Sequence, residues 1–205
     1  MSITDSTYRR TTRAASPALR ELPPLPPQFF HQGAIHAAQG LLSTILVRRV
    51  GGQLQRARII EAEAYLGPND LASHSSKGRT KRTAVMFGPP GRAYVYLIYG
   101  MHWMLNVVVG VEGEAEAVLL RAAEPLDGWD ADLSGPGRLA RGFGITLADN
   151  GRSVTGDDLT FLADPTYRPR IVKRKRVGVD YAGRWKNRQL RFIDAANPAA
   201  AKLRF

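Results

Sequence analysis

Two glutamates, Glu61 and Glu63, lie two positions apart in segment 56–66. A carboxylate can take a proton from water and can also face a developing positive charge, as hydrolysis of a bond to a sugar carbon requires. Either glutamate could act as this base, and either could equally be a salt-bridged residue on a solvated strand. The spacing alone does not rank the two.

Segment 56–66 is the element that must position these carboxylates. Read with the two-residue period of a strand, one face is wholly apolar, comprising Ile60, Ala62, Ala64 and Leu66. The other face carries the polar groups, comprising Ile59, Glu61, Glu63 and Tyr65. A strand with core on one side and two carboxylates and a phenol on the other is predicted to form the floor of a cleft.

Tyrosines recur in the next strand pattern, at Tyr94, Tyr96 and Tyr99. Segment 94–99 and segment 102–111 flank Gly100, which predicts a β-hairpin with Tyr99 near its tip. Enzymes that act on a base in a duplex extrude it and hold it by stacking. Alternate tyrosines are more often ordinary strand packing, the interpretation favoured for Tyr94. Tyr99 beside a glycine is better explained as an exposed wedge.

No motif in the sequence indicates a metal or a nucleotide cofactor. The four histidines have no metal-ligand spacing and the chain has no cysteine, which excludes thiolate zinc sites, iron–sulfur clusters and disulfides. Glycine-rich dinucleotide and P-loop patterns are also missing. We therefore predict no metal and no cofactor. His74, which follows the Glu63 strand, is a candidate for lining the site.

Positive charge is concentrated at the C-terminal end of the chain. The net charge is +11, and residues 165–205 contain 12 basic residues against two acidic ones. Lysine and arginine neutralise phosphates and release their counterions, so the clustering favours a nucleic-acid partner over a merely solvated surface.

The segment Gly135-Pro136-Gly137 precedes a predicted short helix, with Arg138 beside it. Backbone N–H groups in such a turn could bind a phosphate, although the segment could equally be an ordinary turn.

The order of elements predicts an α+β fold. Strands outnumber helices and are joined by hairpins, so we expect a single compact domain around a curved, mainly antiparallel β-sheet with a protruding β-hairpin. Residues 1–24 are predicted to be a disordered basic tail and residues 25–205 the catalytic domain. No membrane-length apolar stretch and no signal peptide is visible, which predicts a cytoplasmic or nuclear protein that is not secreted.

Several motifs in order resemble one family, the 3-methyladenine (alkyladenine) DNA glycosylases of the mammalian type. They are EAEAYLGP at 61–68, ASHS at 72–75, YVYLIYGM at 94–101, VLLRA at 118–122, EPL at 124–126, GPG at 135–137 and RVGV at 176–179. The resemblance spans about residues 27–193. It implies a base-excision-repair enzyme that flips alkylated or deaminated purines out of double-stranded DNA and hydrolyses the N-glycosidic bond to leave an abasic site.

The resemblance also implies a role for individual residues. Glu63 is similar to the base that activates water, which leaves Glu61 in support; Arg121 and the main-chain carbonyl of Val177 are similar to groups that hold this water. Base binding is implied for Tyr65, His74, Tyr96 and Asn106. Insertion into the DNA stack is implied for Tyr99, with Met101 packing beside it. Phosphate binding is implied for Gly135, Gly137 and Arg138, although family members of the mammalian type carry lysine at the last position.

The substrates expected from the resemblance are 3-methyladenine, 7-methylguanine, hypoxanthine and ethenoadenine. Positively charged bases favour electron-rich aromatic faces. The absence of a nucleophilic lysine from the motifs implies a monofunctional enzyme, and we expect a monomer. A glycosylase or lyase specialised for another lesion is one alternative. A catalytically silent nucleic-acid-binding module with a basic surface and an aromatic platform is the other.

Overall fold

The computed structural model describes residues 22–203 and contains one eight-stranded sheet whose strand pairings are all antiparallel. The strands are β1 (Thr44–Val50), β2 (Gln53–Tyr65), β3 (Ala93–Ile98), β4 (His102–Val109), β5 (Glu116–Pro125), β6 (Leu159–Ala163), β7 (Ile171–Arg174) and β8 (Arg191–Asp194). The helices are α1 (Ala34–Leu41) and α2 (Pro136–Gly142). Short 3-10 turns lie at Pro27–His31, His74–Lys77, Ala84–Phe87, Leu147–Asp149, Gly183–Asn187 and Pro198–Lys202. The prediction of an α+β fold is confirmed.

Strand β2 is the centre of the sheet. The main path runs β3-β4-β5-β2-β1-β6, and β8 pairs with both β2 and β7. One edge of β2 pairs with β5, while its other edge pairs first with β1 and then, at 61–63, with β8. A β-bulge between Ile59 and Ala62 separates these two parts. A bulge bends a strand and redirects its side chains. At the two glutamates β2 therefore changes its pairing partner on this edge from β1 to β8.

The bulge changes the face assignment of two isoleucines. Ile59 packs in the main core with Ala62 and Ala64, whereas Ile60 lies in a small separate cluster with Ala122 and Ile193. The uninterrupted period-two pattern, which placed Ile60 on the core face and Ile59 beside the carboxylates, was therefore wrong at these positions. One extra residue shifts the alternation by one place.

Strands β3 and β4 form the predicted hairpin, in register from Ala93 opposite Val107 to Ile98 opposite His102. The turn at its tip uses two residues with positive φ, Tyr99 at 53° and Gly100 at 69°. Glycine adopts this conformation readily, but a tyrosine rarely does. The turn leaves Tyr99 83% exposed, so a large aromatic side chain projects from the end of the sheet.

The core lies against the sheet beneath both helices. Helix α1 packs on β2 and β5, while α2 packs on β4 and β5. Buried apolar side chains join these elements, including Phe30, Leu41, Leu139, Phe143 and Phe161. A Cβ atom built on Gly137 of α2 would lie only 3.2 Å from the Cβ of His102. The glycine backbone therefore packs directly against this histidine. The helix is thereby held close to the base of the hairpin.

The predicted tail, residues 1–24, falls outside the described residues up to position 21. Its last residues pair with the edge of the sheet: the carbonyl of Pro23 accepts from the N–H of Ala163 at 2.8 Å, and Pro24 bridges to Leu162. In the part of the chain that the structure describes, no helix has the length and apolar character needed to cross a membrane.

Candidate active site

A cavity of about 530 Å³ opens between the hairpin, the ends of β2 and β5, and the loop that follows β7. Aromatic residues line much of its wall, including Tyr65, His74, Tyr94, Tyr96 and Tyr99. The polar residues of its wall include Asn106 and Arg121. The structure thus brings together, around one cavity, groups from segments more than 50 residues apart.

Glu63 lies directly behind this wall and is completely buried. Its Oε1 atom accepts a hydrogen bond from the backbone N–H of Val177 at 2.9 Å. Its Oε2 atom accepts from the hydroxyl of Tyr65, also at 2.9 Å. Because Tyr65, Arg121 and Val177 all line the cavity, the carboxylate is one layer of side chains away from whatever the cavity binds.

Glu61 and Glu63 share Arg121, whose guanidinium lies between them. Its Nε is 2.8 Å from Oε1 of Glu61, and its Nη1 is 3.4 Å from Oε1 of Glu63. Glu61 also faces a second cation, Arg191, at 3.0 Å. The two carboxylates are therefore not equivalent: Glu61 is held by two guanidinium groups, whereas Glu63 has one more distant guanidinium and two neutral donors.

Burial raises the pKa of Glu63 above that of a solvent-exposed carboxyl group. The charge of Arg121 offsets part of this effect, as do the hydrogen bonds from Val177 and Tyr65. A carboxylate with a raised pKa is a stronger proton acceptor and still has a charge-stabilising cation beside it. Each of its oxygens has a second lone-pair position, so the group can still accept a proton from water.

His74 and two tyrosines form one wall of the cavity. The rings of His74 and Tyr96 lie 4.5 Å apart, and Nδ1 of His74 is 2.9 Å from the hydroxyl of Tyr94. Burial and, to a smaller extent, the charge of Arg82 together lower the pKa of His74 to about 4. The imidazole is therefore neutral near pH 7. Tyr94 is 1% exposed, so its ring packs as expected while its hydroxyl fixes His74.

Asn106 lies on β4 next to this wall and is also buried. Its Nδ2 donates to the carbonyl of Tyr94 at 3.1 Å, across the β3–β4 ladder. This bond fixes the orientation of the amide at the cavity surface. Any ligand of the cavity would have to fit against this oriented side chain.

A fully buried ion pair between Arg176 and Asp70 supports the site. The sequence analysis did not predict this pair. Nη1 and Nη2 of Arg176 lie 2.5 and 2.8 Å from the two carboxylate oxygens. Nη1 also donates to the carbonyl of Ala64, and the guanidinium lies 4.7 Å from the centre of the Tyr65 ring. The pair therefore fastens the Val177 segment to β2. Position 176 belongs to the RVGV motif, but a partner 106 residues away has no local signal.

Of the remaining predicted site residues, Val177 lines the cavity, whereas Met101, Gly135, Gly137 and Arg138 lie around it. Met101 is 69% exposed beside Tyr99 at the hairpin tip. Arg138 is exposed at the start of α2 and forms an ion pair with Asp132 at 2.9 Å. Gly135 and Gly137 flank Pro136, which lines the cavity. For Val177, the bond that the structure gives is made by its N–H, whereas the resemblance implied a role for its carbonyl.

Within the described residues, all but two of the basic side chains of the C-terminal segment are on the surface. Arg176 and Arg191 are buried and paired with carboxylates. The exposed members within the described residues are Arg168, Arg170, Lys173, Arg174, Lys175, Arg184, Lys186, Arg188 and Lys202. Within residues 22–203 no group of three or more histidine, aspartate or glutamate side chains is arranged to hold a metal ion.

Comparisons with known proteins identify the family of the chain. A family model described as "Methylpurine-DNA glycosylase (MPG)" matches residues 28–198. A relative from Anaeromyxobacter sp. (strain Fw109-5), named "Putative 3-methyladenine DNA glycosylase", is 50% identical over 171 residues, 83% of this chain and 88% of its own length. A relative of the same name from Legionella pneumophila (strain Corby) is 45% identical over 180 residues, 87% of this chain and 98% of its own. The chain therefore belongs to the methylpurine-DNA glycosylase family and is a DNA glycosylase.

Proposed function

We propose that this enzyme flips a damaged purine from double-stranded DNA into the aromatic cavity and hydrolyses its N-glycosidic bond, with Glu63 as the base. The observation that carries the proposal is the setting of Glu63, a buried carboxylate with three donors that themselves line the cavity. A glutamate that only formed a salt bridge on a solvated strand would need neither this burial nor these donors.

In the proposed reaction, water attacks C1′ of the flipped nucleotide and gives its proton to Glu63. The bond from C1′ to the base nitrogen breaks, and its electron pair leaves with the base. The negative carboxylate also stabilises the positive charge that develops on the sugar. Arg121 keeps Glu63 ionised and oriented, while the carbonyl of Val177 remains a proposed contact to the water. No covalent enzyme intermediate forms, so the product is an abasic site in an intact strand.

Binding of the base is assigned to the cavity wall. Tyr65 would stack on one side of the base, and His74 with Tyr96 on the other. A neutral His74 suits a positively charged base such as 3-methyladenine or 7-methylguanine, since an imidazolium would repel it. Hypoxanthine and ethenoadenine are the proposed neutral substrates. Asn106 would act by shape against the exocyclic amino group of undamaged guanine.

At the rim of the cavity and beyond it, the proposed contacts are with the DNA duplex. Tyr99 would fill the gap left by the flipped base and Met101 would pack beside it. Arg138, together with the backbone at Gly135 and Gly137, would bind phosphate, and the exposed basic residues would hold the duplex. All of these groups belong to one chain, so we propose that the enzyme acts as a monomer. Its proposed location is that of the genomic DNA, either the bacterial cytoplasm or a nucleus.

The test is a duplex with one hypoxanthine or ethenoadenine, incubated with enzyme and divided into two portions. One portion is treated with hot alkali, which cuts abasic sites, and the other is not. The proposal expects a nick at the lesion in the alkali-treated portion alone. Cutting without alkali would contradict a monofunctional enzyme. Failure to release any alkylated or deaminated purine would leave only a binding module.

A further inference from the structure

Arg82 stands at the mouth of the cavity, and its guanidinium faces one of the aromatic walls. Its guanidinium carbon lies 5.2 Å from the centre of the Tyr96 ring. A cation within about 6 Å of a ring centre is attracted by the electron-rich face. The residue as a whole is exposed, although it also lines the cavity. The cavity therefore has a cation on an aromatic face that a base would use.

Arg82 differs from the other arginines of the site in its charge balance. Arg121, Arg176 and Arg191 each face a carboxylate within 3.0 Å. No carboxylate between residues 22 and 203 lies within ion-pair distance of Arg82. The wall that contains His74 and Tyr96 thus carries one positive charge without a nearby negative partner.

The field of this charge reaches the groups around it. After burial, the charge of Arg82 is the second cause that lowers the pKa of His74. The same charge acts on the hydroxyls of Tyr94 and Tyr96. Each of these side chains belongs to the wall on which the base is proposed to stack. A group that influences their protonation must also act on a charged base placed among them.

We propose that Arg82 sets the charge selectivity of the pocket by disfavouring cationic methylated bases relative to neutral lesions. A cationic base stacked on Tyr96 is repelled by the like charge of Arg82, whereas a neutral base is not. This inference rests on the proposed function, because it assumes that the base stacks in this cavity. It assigns to Arg82 a specificity role rather than a catalytic one.

The experiment measures single-turnover release of 7-methylguanine, a cationic base, and of hypoxanthine, a neutral one, from otherwise identical duplexes. The quantity compared is the ratio of the first rate to the second. Arg82→Gln is expected to raise this ratio about fivefold, since a unit charge across one ring is removed. Arg82→Lys keeps the charge and should stay close to wild type. Lys81→Gln removes the same charge from an exposed neighbour that does not line the cavity, and should leave the ratio unchanged.

Two results would overturn the inference while leaving the proposed function intact. If Arg82→Gln slows both reactions equally, the side chain contacts a phosphate of the nucleotide and does not select by charge. If Lys81→Gln changes the ratio as much as Arg82→Gln, the effect belongs to the overall surface charge. Wild-type enzyme that releases neither base would instead contradict the proposed function itself.

Discussion

The hydroxyl of Tyr65 donates a hydrogen bond to Oε2 of Glu63, two residues away on the same strand. The same tyrosine ring lies beneath the guanidinium of Arg176 and borders the cavity. One side chain therefore touches the proposed base, its structural support and the space for the substrate. Replacing its hydroxyl alone separates the first of these contacts from the other two.

Tyr65→Phe keeps the ring and removes the bond to Glu63. Because this bond lowers the pKa of Glu63, its loss should raise that pKa further and favour the protonated, inactive carboxyl. The acidic limb of the pH profile should therefore move to higher pH, with a loss of about tenfold in rate on that limb. Single-turnover rates on a hypoxanthine duplex between pH 4.5 and 8 provide the measurement. A profile with an unmoved acidic limb would show that the hydroxyl does not act on the base.

Arg121→Gln removes the charge that most strongly opposes the effect of burial on Glu63. The pKa of Glu63 should rise again, and the acidic limb should move in the same direction as in Tyr65→Phe. Glu61 keeps Arg191 as a partner at 3.0 Å, so the fold should survive. The lysine variant, Arg121→Lys, should restore part of the rate. Equal pH profiles for wild type and Arg121→Gln would remove Arg121 from the proposed mechanism.

The sequence predicted local features of the fold better than contacts between distant segments. The period-two pattern placed Glu61 and Glu63 on one face, and both do contact Arg121. It also gave the hairpin and the exposed position of Tyr99, since turn residues and alternation act over a few positions. The face of Ile59 and Ile60 was wrong because a bulge depends on which strands pair, and the pattern does not contain that information.

The donors around Glu63 could not be found by local reasoning for the same kind of reason. Val177 is 114 residues away, and only the β7–β8 connection brings its N–H to the carboxylate. Buried pairs such as Arg176 with Asp70 have no spacing rule in the chain. The resemblance identified position 177 as relevant, but the N–H contact required the fold.

The Arg176–Asp70 pair should contribute strongly to stability. Arg176→Ala leaves a buried carboxylate without its partner, so it should lower the free energy of unfolding by about 3–5 kcal/mol. Urea unfolding followed by circular dichroism measures this change. The surface pair of Arg138 with Asp132 is the matched control, since its side chains are 54% and 60% exposed; Arg138→Ala should cost less than about 1 kcal/mol. Similar losses in both variants would show that burial does not determine the effect.

His74 should titrate well below an ordinary histidine. Its pKa in the folded protein is about 4, against 6.5 for an exposed imidazole. The unfolded chain therefore binds the proton more readily, and His74 should reduce stability as the pH falls from about 6.5 through 4. NMR titration of the folded protein measures this midpoint directly. A midpoint near 6.5 would show that the imidazole is solvated and charged in weak acid.

Tyr99→Ala tests the proposed wedge. The side chain is 83% exposed, so its removal should change the melting temperature little, while loss of the wedge should slow single-turnover release. DNA binding should be largely kept, because the basic surface is intact. Val111→Ala, at an exposed valine in the β4–β5 connection, is the control and should behave like wild type. Weaker binding with an unchanged rate on bound DNA would contradict the wedge.

The central claim, that Glu63 and not Glu61 is the base, is tested most directly by comparing Glu63→Gln with Glu61→Gln. Single-turnover release of hypoxanthine is the measurement, with folding of both variants checked by circular dichroism. Glu63→Gln is expected to lose at least about 100-fold in rate. Glu61→Gln should lose less than about tenfold, because it acts only by holding Arg121. A Glu63→Gln variant with the full rate, or a Glu61→Gln variant that loses as much, would contradict the account.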